Sequence, residues 1–270
     1  MAPRFRAEPS TIRCNHKNIL FVRPHVQTAW GRFSVIEAVL KALELLFDAK
    51  NAPDWFVLLS GADYPIKPAD KMVQDLSTSP YDAHIAHERI RYDHYERDWQ
   101  RVCYERYCSA KLRIVVMNRK LQVTTRDIRV RDPYMAAPFL PFSSELCCFA
   151  GEHWFCANRS AAEYMIEFHR AKPALANHYR NLDSYGIFPE ESYYQTILCN
   201  ASHLRISKNH WRYIDWWTHA GSRPKVLLME DLPKLRESTA HFARKFDAES
   251  DDAVLDALDG DILSGCAVGG

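Results

Sequence analysis

The chain has no run of about 20 apolar residues, the length a helix needs to cross a bilayer. No direct membrane span is therefore expected within it. Residues Met1 to Arg13 are polar and interrupted by Pro3 and Pro9, unlike the apolar core of a secretory signal. Net charge is nearly absent, at +1 over 270 residues. That balance offers no basic footprint for nucleic acid, so a nucleic-acid partner is not expected. Glycine-rich phosphate loops are missing: neither GxGxxG nor the P-loop pattern occurs. The Gly-x-Ser-x-Gly nucleophile elbow is missing too. So is any CxxC pair among the 8 cysteines, Cys14, Cys103, Cys108, Cys147, Cys148, Cys156, Cys199 and Cys266. Their number is even and their spacing irregular, which suits disulfides in an oxidising compartment or buried thiols equally. His84, His87, His94, Cys103 and Cys108 are zinc-ligand types, but structural zinc sites use tighter paired spacings.

What is present begins with aromatics: 7 tryptophans and 13 tyrosines. Such rings stack against the C–H faces of sugars, although core packing accounts for many of them. The apolar share of 47% and charged share of 26% are those of an ordinary soluble α/β domain. Residues 1–17 read as loop or disordered chain, 18–259 as the folded domain and 260–270 as a disordered tail. Asn18–Val22 reads as a strand. Ser34-x-x-Glu37 is a capping-box signature, followed by Val35, Ile36, Val39, Leu40 and Leu43 at helical spacing. Trp55 to Leu59 is continuously apolar, the pattern of a parallel strand buried on both faces. Residues 80–135 are crowded with arginine and weak in periodicity, and read as a solvated, loop-rich insertion. Asp251 to Leu258 reads as a last helix. Two Asn-x-Ser sequons, at Asn158 and Asn200, matter only if the chain is secreted. Sequons and cysteines suit a Golgi lumen; a bacterial cytosol fits the sequence as well.

Three places could carry chemistry. Ser60-Gly61-Ala62-Asp63 follows the apolar strand, where ligands bind in open α/β sheets. Asp63 could meet a ligand there or simply stabilise the turn. Pro189-Glu190-Glu191 looks like the start of a helix, where the dipole and free N–H groups favour carboxylates. A carboxylate held near a cleft can accept a proton from a hydroxyl. Neighbouring helical residues point roughly 100° apart, so only one of the two should reach a substrate. Capping explains acidic residues there equally well. Finally, His241 to Asp247 alternates, placing Arg244 and Lys245 on opposite strand faces. One could contact a diphosphate while the other forms a salt bridge, or both could simply be exposed.

Five blocks, in order, resemble a known family. They are Val26-Gln27-Thr28-Ala29-Trp30-Gly31 leading to Ser34; Leu59 to Lys67; Gly151-Glu152-His153-Trp154-Phe155; Phe188-Pro189-Glu190-Glu191-Ser192; and Phe242-Ala243-Arg244-Lys245-Phe246-Asp247. Together they resemble the core-2/I-branching N-acetylglucosaminyltransferases and peptide O-xylosyltransferases, glycosyltransferase family 14. The resemblance implies a GT-A-like, Rossmann-related α/β fold with a mixed, mainly parallel sheet flanked by helices. It implies a UDP-sugar donor, a protein or glycan acceptor, and inversion without a metal or other cofactor. By resemblance Glu191 is the catalytic base and Lys245 binds the donor diphosphate. Arg223 or Lys225 supplies a second cation, with Arg244 as a further candidate. Asp63, Trp154 and Glu190 line the donor and acceptor cleft, and Trp216 helps hold the acceptor. The one Asp-x-Asp pattern, Asp259-Gly260-Asp261, lies in the expected tail and not behind a strand. The family carries a further N-terminal stretch with a uridine-holding His-x-Asp element, so the domain is expected to be N-terminally truncated, with any membrane anchor upstream. A non-catalytic remnant that binds glycan or a partner is the alternative. A glycosidase would need two carboxylates about 5–9.5 Å apart across a cleft, which adjacent Glu190 and Glu191 do not supply.

Overall fold

A computed structural model describes residues 18–48, 52–94, 97–117, 123–216 and 223–266. The expected loop at 1–17 and the end of the tail at 267–270 lie outside the described residues. In chain order the elements are α1 (Ser34–Phe47), β1 (Trp55–Val57), β2 (Asp63–Pro65), α2 (Ala69–Ser77), β3 (Ala83–Ile85) and β4 (Glu88–Arg89). Then come α3 (Asp98–Tyr107), β5 (Ala110–Met117), β6 (Val123–Val130), α4 (Pro133–Ala136), β7 (Phe149–Ala150) and β8 (Phe155–Asn158). The remainder are α5 (Arg159–Ala171), α6 (Pro173–Leu182), α7 (Tyr193–Cys199), β9 (Ile206–Ser207), β10 (Arg212–Ile214), α8 (Leu232–Glu237), β11 (Phe242–Arg244) and α9 (Ala253–Cys266).

The strands form small, separate sheets in a mixed α/β fold. One has the order β1-β8-β3-β9 and another β10-β11-β2. Ile36, Leu40 and Leu43 put the apolar stripe of α1 into the main core, against α5. Phe155, Met165, Tyr179, Tyr193 and Tyr194 fill that core and are fully buried. Each large apolar side chain so buried contributes about 1.5–3 kcal/mol. A second cluster, with Ile66, Leu227, Leu235, Phe246, Val254 and Leu258, lies under the β10-β11-β2 sheet. The β1–β2 connection through Ser60 to Ala62 links the two sheets and leads into Asp63.

Several sequence expectations need correction. The sheets are not mainly parallel: β3–β9 and β10–β11 are parallel, but β1–β8, β3–β8, β11–β2, β4–β7 and β5–β6 are antiparallel. The apolar run at Trp55 reports burial, which says nothing of the direction of its partner. Asn18–Val22 is not a strand; Ile19, Leu20 and Phe21 are exposed. Within the charged stretch 80–135 the described residues form α3 and the long antiparallel β5–β6 pair, not only loops. Cross-strand ion pairs of Asp127 with Lys111 and Arg113 replace the apolar alternation that would have revealed the ribbon. Helix α9 continues through Gly260 to Cys266, tied down by Asp259 to Tyr64 and by Asp261 to Arg236. The Asp-x-Asp pattern is thus spent on packing contacts.

Among the described residues, no helix is long and apolar enough to cross a membrane. Cys103, Cys108, Cys147, Cys148, Cys156 and Cys199 are free thiols, and among the described residues no three of His, Cys, Asp or Glu gather as metal ligands do.

Candidate active site

Glu191 is set in place by backbone strain and by a glycine. Phe188 adopts a left-handed φ of 49°, costly for a residue with a Cβ. The Tyr107 hydroxyl donates to its carbonyl, and its ring packs edge-on against Trp30 at 4.6 Å. Pro189 then opens a single 3-10 turn ending at Glu191, just before α7. On the other side, the Gly151 N–H donates to the Glu191 carbonyl at 2.8 Å. Gly151 has no room for a side chain: a Cβ would lie 1.9 Å from the Ala86 carbonyl oxygen.

The Glu191 carboxylate projects from this turn and is 41% exposed. Arg106, from the end of α3, donates through Nη1 to Glu191 Oε2 at 2.9 Å and also stacks on the Phe188 ring. Burial raises the proton affinity of Glu191; Arg106 opposes that, and Glu152 adds to it. Glu190 points inward. It is 7% exposed, its Oε2 has no hydrogen-bond partner among the described residues, and burial pushes its carboxyl up to about 7.

A second group lies on the β10-β11-β2 sheet. Register pairs Arg244 on β11 with Asp63 on β2 and Ile214 on β10. Asp63 is fully buried. Its Oδ2 accepts from the Ser60 N–H at 2.7 Å, so it does stabilise the turn. Its Oδ1 lies 3.6 Å from Arg244 Nε and 3.8 Å from Arg212 Nε. Arg212 donates to the Leu58 carbonyl and stays in the protein interior. Arg244 is partly open to solvent, and its guanidinium sits 4.2 Å from the Trp154 ring centre, within cation–π range.

The two groups are joined by Gly151 to Trp154. At one end of that segment is the bond to Glu191, at the other the Trp154–Arg244 stack. Between them, Glu152 faces Arg244 and accepts from the Trp216 indole N–H; burial raises the affinity of Glu152 for a proton. Trp216 is otherwise exposed. Lys245 follows Arg244 directly and is half-buried, its carbonyl accepting from the Leu227 N–H.

Glu190 and Glu191 thus lie at one end of the Gly151–Trp154 segment, and Trp154, Arg244 and Asp63 at the other, with Trp216 beside Glu152; Lys245 is next to Arg244 in the chain. Lys225 is committed elsewhere: its Nζ binds Asp231, buried at 2% exposure, at 2.8 Å and Glu230 at 2.8 Å. Arg223 is exposed on the loop before it. Sequence reasoning missed Arg106, Glu152 and Arg212. Arg106 was hidden among many arginines, though its place in the last turn of a helix bearing Cys103 and Tyr107 on the buried face could have singled it out. A cavity of about 580 Å³ between α1 and α5, lined by Lys41, Glu44 and Arg170, contains none of these residues.

The chain belongs to the Core-2/I-branching enzyme family, glycosyltransferase family 14, whose profile matches residues 2–236. It is 26% identical to the beta-glucuronosyltransferase GlcAT14A of Arabidopsis thaliana over 86% of this chain and 47% of that protein. To GlcAT14B of the same plant it is 24% identical, over 97% of this chain and 57% of that one. Xylosyltransferase 1 of Rattus norvegicus is 25% identical over 90% of this chain and 29% of its own length. The chain therefore spans about half the length of the two plant relatives and less of the xylosyltransferase.

Proposed function

We propose that the chain transfers a sugar, xylose or N-acetylglucosamine, from a UDP-sugar to a hydroxyl of a protein or glycan acceptor, inverting the anomeric centre on a GT-A-like fold. Glu191 takes the acceptor proton. Arg106 occupies Oε2, which leaves Oε1 to the substrate and holds the carboxylate in one orientation. The acceptor oxygen attacks the anomeric carbon from the face opposite the nucleotide. Arg244 and Lys245, at the end of β11, neutralise the departing diphosphate. One well-placed donor of this kind is worth about 3–4 kcal/mol in a transition state. Lys225, tied to Asp231, has a structural task, and Arg223 remains at the rim.

The observation that carries this reading is the Gly151–Trp154 segment, which touches the base at one end and the cation at the other. Relatives named as glucuronosyl- and xylosyltransferases support sugar transfer. They also make a uronic-acid donor the main competitor to a neutral one. Because side chains supply the cations, no metal is called for. Calorimetry with UDP in the presence of EDTA tests the reading. Binding without metal is expected. No binding at millimolar UDP would instead favour a non-catalytic, glycan- or partner-binding remnant, and binding only with a divalent ion would overturn the cation roles.

A further inference from the structure

Glu152 has no place in the mechanism so far, yet its position is fixed from three directions. The residue before it, Gly151, is bonded to Glu191 at 2.8 Å. Its own carbonyl accepts from Gln195 Nε2, on α7, at 2.7 Å. Two residues on, Trp154 carries the Arg244 guanidinium. In an inversion, the base, the anomeric carbon and the leaving diphosphate lie roughly in line. Glu152 lies within electrostatic reach of both Glu191 and Arg244 and so flanks the line between base and diphosphate along which the transferase reading places the sugar.

We propose that Glu152 is a specificity-determining residue that lies beside the donor sugar and rejects sugars bearing a carboxylate, so that the donor is an uncharged UDP-sugar. The inference rests on the transferase reading above. Arg244 is committed to the diphosphate, with Asp63 Oδ1 3.6 Å from its Nε and the Glu152 charge within reach, so it offers a uronate no spare cation. A third carboxylate would meet two anions and Glu191 in a confined site, where like charges in contact strongly suppress binding. The hydroxyls of a neutral sugar could instead donate to Glu152, a charge-assisted hydrogen bond.

The test uses the full chain with UDP, UDP-xylose, UDP-N-acetylglucosamine and UDP-glucuronic acid as probes. Affinity is read by calorimetry and turnover by UDP release, for wild type, Glu152→Gln and Glu152→Ala. Glutamine keeps an oxygen for the Trp216 indole while removing the charge. Wild type should favour the better neutral donor over UDP-glucuronic acid by about tenfold or more, and Glu152→Gln should narrow that ratio by about tenfold. A wild-type preference for UDP-glucuronic acid, or a ratio unchanged in either variant that folds, overturns the proposal while leaving the transferase reading intact. Wild type that binds no UDP overturns both.

Discussion

The Arg106 guanidinium donates to Glu191 Oε2 at 2.9 Å, across 85 residues of sequence, and so couples the end of α3 to the turn that opens α7. Glu191 is crowded enough that burial raises its proton affinity, and Arg106 is the main influence pulling it back. A base must be ionised to act, so this pair sets the acid side of activity.

Replacing Arg106 by alanine should therefore shift the acid limb of kcat/KM to higher pH, because the remaining neighbours do not restore the lost cation. Glu152 also raises the affinity of Glu191 for a proton. Arg106→Lys should fall between wild type and alanine, keeping a charge without the planar fork. A pH–rate series on the three proteins checks this; an acid limb that stays put or moves down would remove Arg106 from its role.

Glu190 makes a prediction about stability. Its carboxyl is pushed up to about 7 by burial, above its ordinary 4.5. Between those values the folded state holds a proton that the unfolded state has released. The group is therefore neutral for stability below about pH 4.5 and increasingly destabilising as pH rises through 7, by up to about 3 kcal/mol. Glu190→Gln should consequently gain stability relative to wild type between pH 5 and pH 8, measured by denaturant titration at both. A difference between the two proteins that does not grow with pH would contradict the buried, unpaired placement of Oε2.

How much of this could be read beforehand depends on whether a feature is local. The helix at Ser34, the turn after the apolar run at Trp55 and the alternation at Phe242 are local patterns, and each became an element close to where the sequence put it. Asp63, Glu191 and Arg244 stood out by local position, after an apolar strand, behind a proline and on an alternating strand, and the resemblance gave Glu191 its role, but their neighbours were not visible. Strand direction was misread, since an apolar run is identical whether its partner runs up or down. The β5–β6 ribbon was missed because ion pairs through Asp127, which link residues far apart, do part of the work of hydrophobic alternation. Arg106 and Glu152 reach the site only through tertiary packing. Lys225 was, like Arg244, a candidate for a second diphosphate cation until its bond to buried Asp231 was seen.

That last difference can be measured. Arg244→Ala should lower turnover by about 10²-fold or more, the usual effect of losing one such donor. Lys225→Met should act on the fold, costing about 1–3 kcal/mol by leaving the Asp231 carboxylate short of a partner, while UDP affinity changes little. Parallel denaturation and UDP titration of both variants separate the two cases. Loss of UDP affinity in a stable Lys225→Met protein would return Lys225 to the diphosphate.

Gly151→Ala should be severe although it adds one methyl group. The new Cβ would overlap the Ala86 backbone carbonyl at 1.9 Å, and backbone cannot give way as a flexible side chain would. A loss of about 1–3 kcal/mol of stability is expected, with the Gly151–Glu191 bond displaced. A variant as stable and as active as wild type would mean the segment does not fix Glu191.

The most direct test of the account compares Glu191→Gln with wild type, reading sugar transfer and UDP affinity on the same preparations. Transfer should disappear into background while UDP binds as tightly as before, since Glu191 handles the acceptor proton and the cations of β11 hold the diphosphate. Full transfer by the glutamine variant would show that the proton goes elsewhere, and the site described here would not be the catalytic one.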